Sequence, residues 1–114
     1  MAKNDMHVVI FKILAYLYDC MKKGVEPDSS VIEHDALGIP RKYWLQIMKE
    51  LESRGYVDGI EVKQTTADYY VSYTDPRVTM DGVEFLMENS MMNKAARFVA
   101  DAGGFFASIV TPFI

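Results

Sequence analysis

Four polar side chains recur along one predicted helix at the spacing of a single helical face. They lie four, three and four positions apart, and they are Lys42, Gln46, Lys49 and Ser53. Lysine contacts phosphate oxygens and guanine edges, and glutamine pairs with adenine in the major groove. Acidic Glu50 and Glu52 flank this face, but no acid lies at its centre. The pattern predicts a helix that contacts duplex DNA.

Charge is distributed unevenly between this helix and the rest of the chain. The formal net charge is −4, whereas residues 41–54 hold four basic and two acidic side chains. Arg41 adds a cation in the first turn, where it is expected to contact phosphates. Because the rest of the chain is acidic, binding of nucleic acid must depend on a local patch. A solvated helix face, which is commonly rich in lysine and glutamine, explains the same residues, and both interpretations stay open.

The segment that should form a β-hairpin next to this helix supplies little positive charge. Its turn, residues 64–68, ends in Asp68, and Lys63, the basic residue beside it, is expected to contact phosphates together with Arg41. A hairpin that contacts the DNA backbone usually supplies arginine or lysine. With few phosphates neutralised, binding would be weak and salt-sensitive, so a homodimer is the more favourable DNA-binding form. The alternative is a protein–protein interaction module without DNA binding.

No combination of residues points to catalysis, a metal or a cofactor. His7 and His34 are far apart in the chain, and the acids near His34 suit the positive end of a helix. Cys20 lies among apolar residues of the first helix and is expected to be a buried small hydrophobe. Phosphate-binding glycine loops, paired cysteines and nucleophile elbows are all missing from the sequence. We therefore predict a protein that is not an enzyme and needs no cofactor.

Hydrophobic periodicity and capping residues predict the elements that position these side chains. With cap residues included, the predicted helices cover 5–23, 30–37, 40–54, 79–88 and 90–102, and the strands cover 57–63 and 69–74. The apolar stripe of the first helix, which includes Met21, is wide enough to be covered on more than one side. Ser30 and Glu33 fit a capping box. Asp75-Pro76 is expected to end the second strand.

This order predicts an α+β, mostly helical fold: a winged helix-turn-helix with a two- or three-stranded antiparallel wing and a C-terminal helical extension. One domain should cover residues 1–102. The apolar tail, 103–114, should pack on that domain or in a dimer interface. The residues expected at such an interface are Phe98, Phe105, Phe106, Ile109 and Val110.

Cysteine use and hydropathy predict the compartment. A lone cysteine forms no intrachain disulfide, and the N-terminus lacks the apolar core of a signal peptide. The most apolar stretch, 95–114, is interrupted by Arg97, Asp101 and Pro112, so no membrane span is expected. We predict a cytoplasmic protein.

Two segments resemble known proteins. Residues 45–57 are similar to the end of the third helix and the first wing strand of winged-helix regulators, and residues 78–86 resemble the stretch after their wing, with Val78 in place of a leucine. Over roughly residues 6–100 the layout resembles the YjcQ family of small bacterial and prophage proteins. The matching motifs are Gly55-Tyr56-Val57-x-Gly59, Thr79-x-Asp81-Gly82-x-x-x-Leu86 and Glu88-Asn89-Ser90. The resemblance implies the winged-helix fold and a phage or prophage setting, but no particular activity.

Overall fold

The computed structural model describes residues 4–88, which form an α+β domain with the predicted order of elements. The elements are α1 (Met6–Lys23), a 3-10 turn (Ser29–Ile32), α2 (His34–Leu37), α3 (Arg41–Ser53), β1 (Val57–Gln64), β2 (Tyr69–Val78) and α4 (Met80–Glu88). Within this range the sheet has two antiparallel strands, β1 and β2. The arrangement is that of a winged-helix-like fold. The predicted helix 90–102 and the tail 103–114 lie outside the described residues.

The core is built around α1, which is buried on nearly all sides from Val8 to Leu17. This confirms that the wide apolar stripe of the helix is covered on more than one side. Cys20 is buried as predicted. Met21 is 44 % exposed, so its assignment to the buried stripe was wrong. It lies in the last turn of the helix, next to the exposed residues 22–26, where α1 leaves the core.

The predicted helix 30–37 is divided into the 3-10 turn and α2. Glu33, between them, has extended dihedrals, φ −80° and ψ 160°. The Ser30–Glu33 capping box is therefore wrong. Instead Asp28 caps the 3-10 turn, because its carboxylate accepts a hydrogen bond from the Ser30 amide at 3.0 Å. Glu33 is extended and its carboxylate accepts a hydrogen bond from the Tyr73 hydroxyl of β2 at 2.9 Å.

β2 continues through Asp75-Pro76 to Val78, so the prediction that this dipeptide ends the strand was wrong. The sheet absorbs the dipeptide in a bulge, where the register shifts between Asp58 and Ile60. Gly59, opposite the bulge, has φ +77°, and a Cβ there would collide with the Thr74 carbonyl. Between the bulge and the open end of the hairpin, Arg77 and Asp58 form an ion pair at 3.1 Å.

The junction between the sheet and α4 explains two residues of the sequence motif. As predicted, Thr79 caps α4: its hydroxyl accepts a hydrogen bond from the Gly82 amide at 3.2 Å. The same hydroxyl donates to the Gly55 carbonyl, and the Thr79 amide donates to the Tyr56 carbonyl at 2.9 Å. Gly82 lies so close to the chain before β1 that a Cβ would collide with the Tyr56 carbonyl and the Val78 side chain. Glycine at position 82 therefore allows the first turn of α4 to pack directly against the backbone just before β1.

Replacing Gly82 with alanine should therefore destabilise the fold, although alanine normally stabilises a helix by about 0.5–1 kcal/mol relative to glycine. We expect the collision with a backbone carbonyl to lower the free energy of unfolding by about 1–3 kcal/mol, measured by urea denaturation. Gly24→Ala is the control. A Cβ added at residue 24 would meet open space, so this variant should lose only the stability that the strain of φ +69° costs. A Gly82→Ala variant as stable as the wild type, or more stable, would contradict the close approach.

Two tyrosines, the buried Tyr16 and the half-buried Tyr73, should make the fold sensitive to alkaline pH. Burial raises the pKa of Tyr16 to about 12, while burial and the neighbouring Glu33 carboxylate raise the pKa of Tyr73 well above its ordinary value. Because both pKa values are raised in the folded state, this stabilisation is complete below pH 10 and is lost as pH rises towards 12 and beyond.

We expect the free energy of unfolding to fall above pH 10 and to fall less steeply in Tyr73→Phe. At pH 8 that variant should itself be less stable by about 1.5 kcal/mol, the low end for a hydrogen bond to a charged group. Urea denaturation over a pH series measures both effects. Tyr70→Phe, at a 45 % exposed tyrosine of the same strand, is the control. If the free energy of unfolding fell as steeply above pH 10 in Tyr73→Phe as in the wild type, the Tyr73 hydroxyl would not titrate as described.

Candidate nucleic-acid interface

The outer face of α3 presents the four polar side chains that the sequence singles out. Lys42, Gln46, Lys49 and Ser53 are all exposed. The opposite face of the helix packs into the core through Trp44, Ile47, Met48 and Leu51, each of which is buried. The amphipathic pattern of α3 therefore orients the polar face towards solvent. The Ser53 hydroxyl donates a hydrogen bond to the Glu50 carbonyl of its own helix at 3.2 Å, so it is already engaged.

The two acids beside this face are held by local partners. The Glu50 carboxylate pairs with the Arg54 guanidinium at 2.8 Å, four residues along the helix. The Glu52 carboxylate accepts a hydrogen bond from the backbone amide of Val62 in β1 at 3.1 Å. Each carboxylate therefore has a partner other than the lysines of the row, although Glu50 lines a second concavity of α3 together with Gln46 and Lys49.

A groove of about 550 Å³ separates the outer face of α3 from the wing, the β1–β2 hairpin. Its lining combines apolar side chains, Leu45, Val62 and Tyr69, with charged and polar ones. The polar lining residues are Arg41, Lys42, Gln46, Lys49 and Asp68. Three cations and one anion line the groove, so its balance is positive although the whole chain carries a net charge of −4.

Tyr69 is the aromatic residue of this groove and is 41 % exposed. The ammonium of Lys49 lies 5.7 Å from the centre of the Tyr69 ring, within the range of a cation–π interaction. An exposed interaction of this kind is weak, about 0.5–1 kcal/mol, and leaves the ammonium open to solvent and to other partners. The contact orients Lys49 across the groove.

Arg41 is already paired within the protein. Its Nη1 lies 3.2 Å from Oδ2 of Asp68, and its Nη2 donates a hydrogen bond to the Tyr69 carbonyl. The Tyr69 amide donates to the Asp68 carboxylate at 2.7 Å, and this bond, with the nearby Arg41 charge, holds the pKa of Asp68 below its usual value. Sequence reasoning missed this pairing because 27 residues separate the two partners.

Lys63 points away from the groove. It pairs across the sheet with Tyr70, whereas its neighbour Val62 pairs with Val71 and lines the groove. Since successive side chains of a strand point to opposite faces, Lys63 lies on the outer face of the wing. The structure therefore brings Arg41, Lys42, Gln46 and Lys49 together and separates Lys63 from them. The predicted interface residues Phe98, Phe105, Phe106, Ile109 and Val110 lie outside the described residues.

Within residues 4–88, no three histidine, cysteine or acidic side chains lie close enough to hold a metal ion. No helix of that range has the length and hydrophobicity to cross a membrane. That the protein is not an enzyme stays a prediction.

Helix order, wing and an exposed polar face on α3 define this chain as a small winged-helix-like domain. A family model described as YjcQ protein matches residues 11–102. The chain therefore belongs to the YjcQ family, as the sequence motifs had indicated. No curated protein and no solved structure matches the chain.

Proposed function

We propose that this protein binds duplex DNA through α3 and acts as a regulator, in keeping with a phage or prophage origin. The observation that carries the proposal is the exposed row of Lys42, Gln46 and Lys49 on the helix face opposite the core. At 1.5 Å per residue these three positions extend over roughly 10 Å, and an α-helix fits the major groove of B-DNA. Gln46, between the two lysines, is the side chain suited to reading a base edge.

The charges around α3 limit how tightly one copy could bind. Lys42 and Lys49 supply the cations of the row, Arg41 is paired with Asp68, and Lys63 faces away. Because each neutralised phosphate contributes to affinity, two or three contacts give weak, strongly salt-dependent binding. We therefore propose that the DNA-binding form is a homodimer, which doubles the number of contacts.

Charge reversal on α3 tests the proposal. We expect Lys42→Glu with Lys49→Glu to weaken binding of a fluorescein-labelled mixed-sequence duplex at least tenfold at 50 mM salt, followed by anisotropy. The slope of log affinity against log salt should become shallower by about 2, since two phosphate contacts are lost. Lys22→Glu with Arg77→Glu, at two exposed cations outside α3 and its groove, is the control with the same change in net charge.

Equal weakening by the two double variants would mean that binding follows net charge, and α3 would not be the contacting helix. Lys63→Glu adds a further comparison, because its position on the outer face of the wing predicts an effect smaller than that of either α3 lysine. Size-exclusion chromatography with light scattering, with and without DNA, measures the proposed dimer.

A second candidate function is a protein-interaction module without DNA binding. It is favoured by the apolar floor of the groove, Leu45, Val62 and Tyr69, which duplex DNA does not require. The two candidate functions predict different results for DNA binding and for capture of a protein partner. A protein module would show no duplex binding at 50 mM salt and would capture a stoichiometric protein partner that Leu45→Glu fails to capture.

A further inference from the structure

The turn of the wing is built to hold one carboxylate in place. The Thr65 hydroxyl donates a hydrogen bond to the Asp68 carbonyl at 2.8 Å and accepts one from the Asp68 amide at 3.0 Å. The Thr65 amide also donates to the Asp68 carbonyl, at 2.7 Å. With the backbone of Asp68 fixed in this way, its carboxylate accepts a hydrogen bond from the Tyr69 amide. Asp68 is thus positioned by the turn rather than by Arg41 alone.

Arg41 occupies the first position of α3, where a recognition helix meets the DNA. Its guanidinium is turned to the wing by two contacts with the Asp68 carboxylate, at 3.2 and 3.4 Å, and by the hydrogen bond to the Tyr69 carbonyl. A guanidinium held in this way has its charge compensated and both terminal nitrogens engaged within the protein. The carboxylate itself lies in the groove beside the cations of α3.

We propose that Asp68 restrains DNA binding by this face, because it holds Arg41 in an internal ion pair and places a negative charge beside the phosphate-binding side chains. The inference rests on the proposed function and adds a regulatory contact to it. The pair is solvent-exposed on both sides, with side-chain exposures of 41 % and 64 %. An exposed pair is weak and screened by salt, so a phosphate can displace Asp68 from Arg41 at a cost in affinity. The contact lowers affinity without abolishing binding.

Removal of the carboxylate tests this restraint. Asp68→Ala should bind the labelled duplex about three- to tenfold more tightly at 50 mM salt. The salt slope should become steeper by about 1, since Arg41 then neutralises a phosphate. Asp58→Ala is a closely matched control: Asp58 is another exposed aspartate of the wing, 56 % exposed and paired with an arginine at 3.1 Å, but at the far end of the hairpin. It should leave affinity within about twofold.

A double-mutant cycle separates release of Arg41 from simple loss of negative charge. If Asp68 acts mainly through Arg41, then Asp68→Ala should tighten binding much less in the Arg41→Ala background than in the wild type, where only the loss of its negative charge remains to be felt. Equal tightening by Asp68→Ala in the presence and absence of Arg41 would overturn the part of the proposal that involves Arg41. Thermal unfolding by circular dichroism verifies that all four variants fold.

The failures of the two proposals are distinguishable. If the wild type binds DNA and Asp68→Ala binds no more tightly than Asp58→Ala, the restraint is overturned and the proposed function stands. If neither the wild type nor Asp68→Ala binds the duplex at 50 mM salt, DNA binding and its restraint are both overturned.

Discussion

The buried indole of Trp44 fixes α3 in the fold, and the candidate interface depends on that placement. Its Nε1 donates a hydrogen bond to the Ile32 carbonyl at 2.8 Å, in the core. A buried amide or indole group without a partner is costly, so this bond joins α3 firmly to the 3-10 turn. With Trp44 turned inward, the helical period leaves Lys42, Gln46 and Lys49 on the outside. The orientation of the polar face thus follows from one polar contact inside an otherwise apolar core.

The wing is held against α3 by contacts that span long stretches of chain. Tyr73 reaches Glu33 at the break between the 3-10 turn and α2, and Arg41 reaches Asp68 at the turn. The bulge opposite Gly59 lets β2 run on to Val78, and at Thr79 the chain returns to the residues just before β1. These contacts explain why the hairpin encloses a groove with α3. They also place Asp68, rather than a lysine, beside the first turn of α3.

Local patterns made most of the fold predictable. The apolar stripe of α3 and the cap at Thr79 each depend on residues close in sequence, and the structure has both. Errors arose where distant partners override a local signal. Glu33 fits a capping box, but it pairs with a tyrosine 40 residues away. For the site, helical spacing gave the exposed row on α3, whereas the pairing of Arg41 depends on the path of the hairpin.

The position of these charges also resolves the apparent conflict between a net charge of −4 and a DNA-binding surface. Affinity for DNA depends on the cations that reach phosphates. Acids farther than about 10 Å from those cations are largely screened at 0.1 M salt. Glu50 and Glu52 lie on α3 itself, where the Arg54 guanidinium and the Val62 amide engage their carboxylates. Asp68 is the acid that lies in the groove itself. Under the proposed function, the affinity of this face for DNA depends on the balance between two lysines and one ion pair, and much less on the overall charge of the chain.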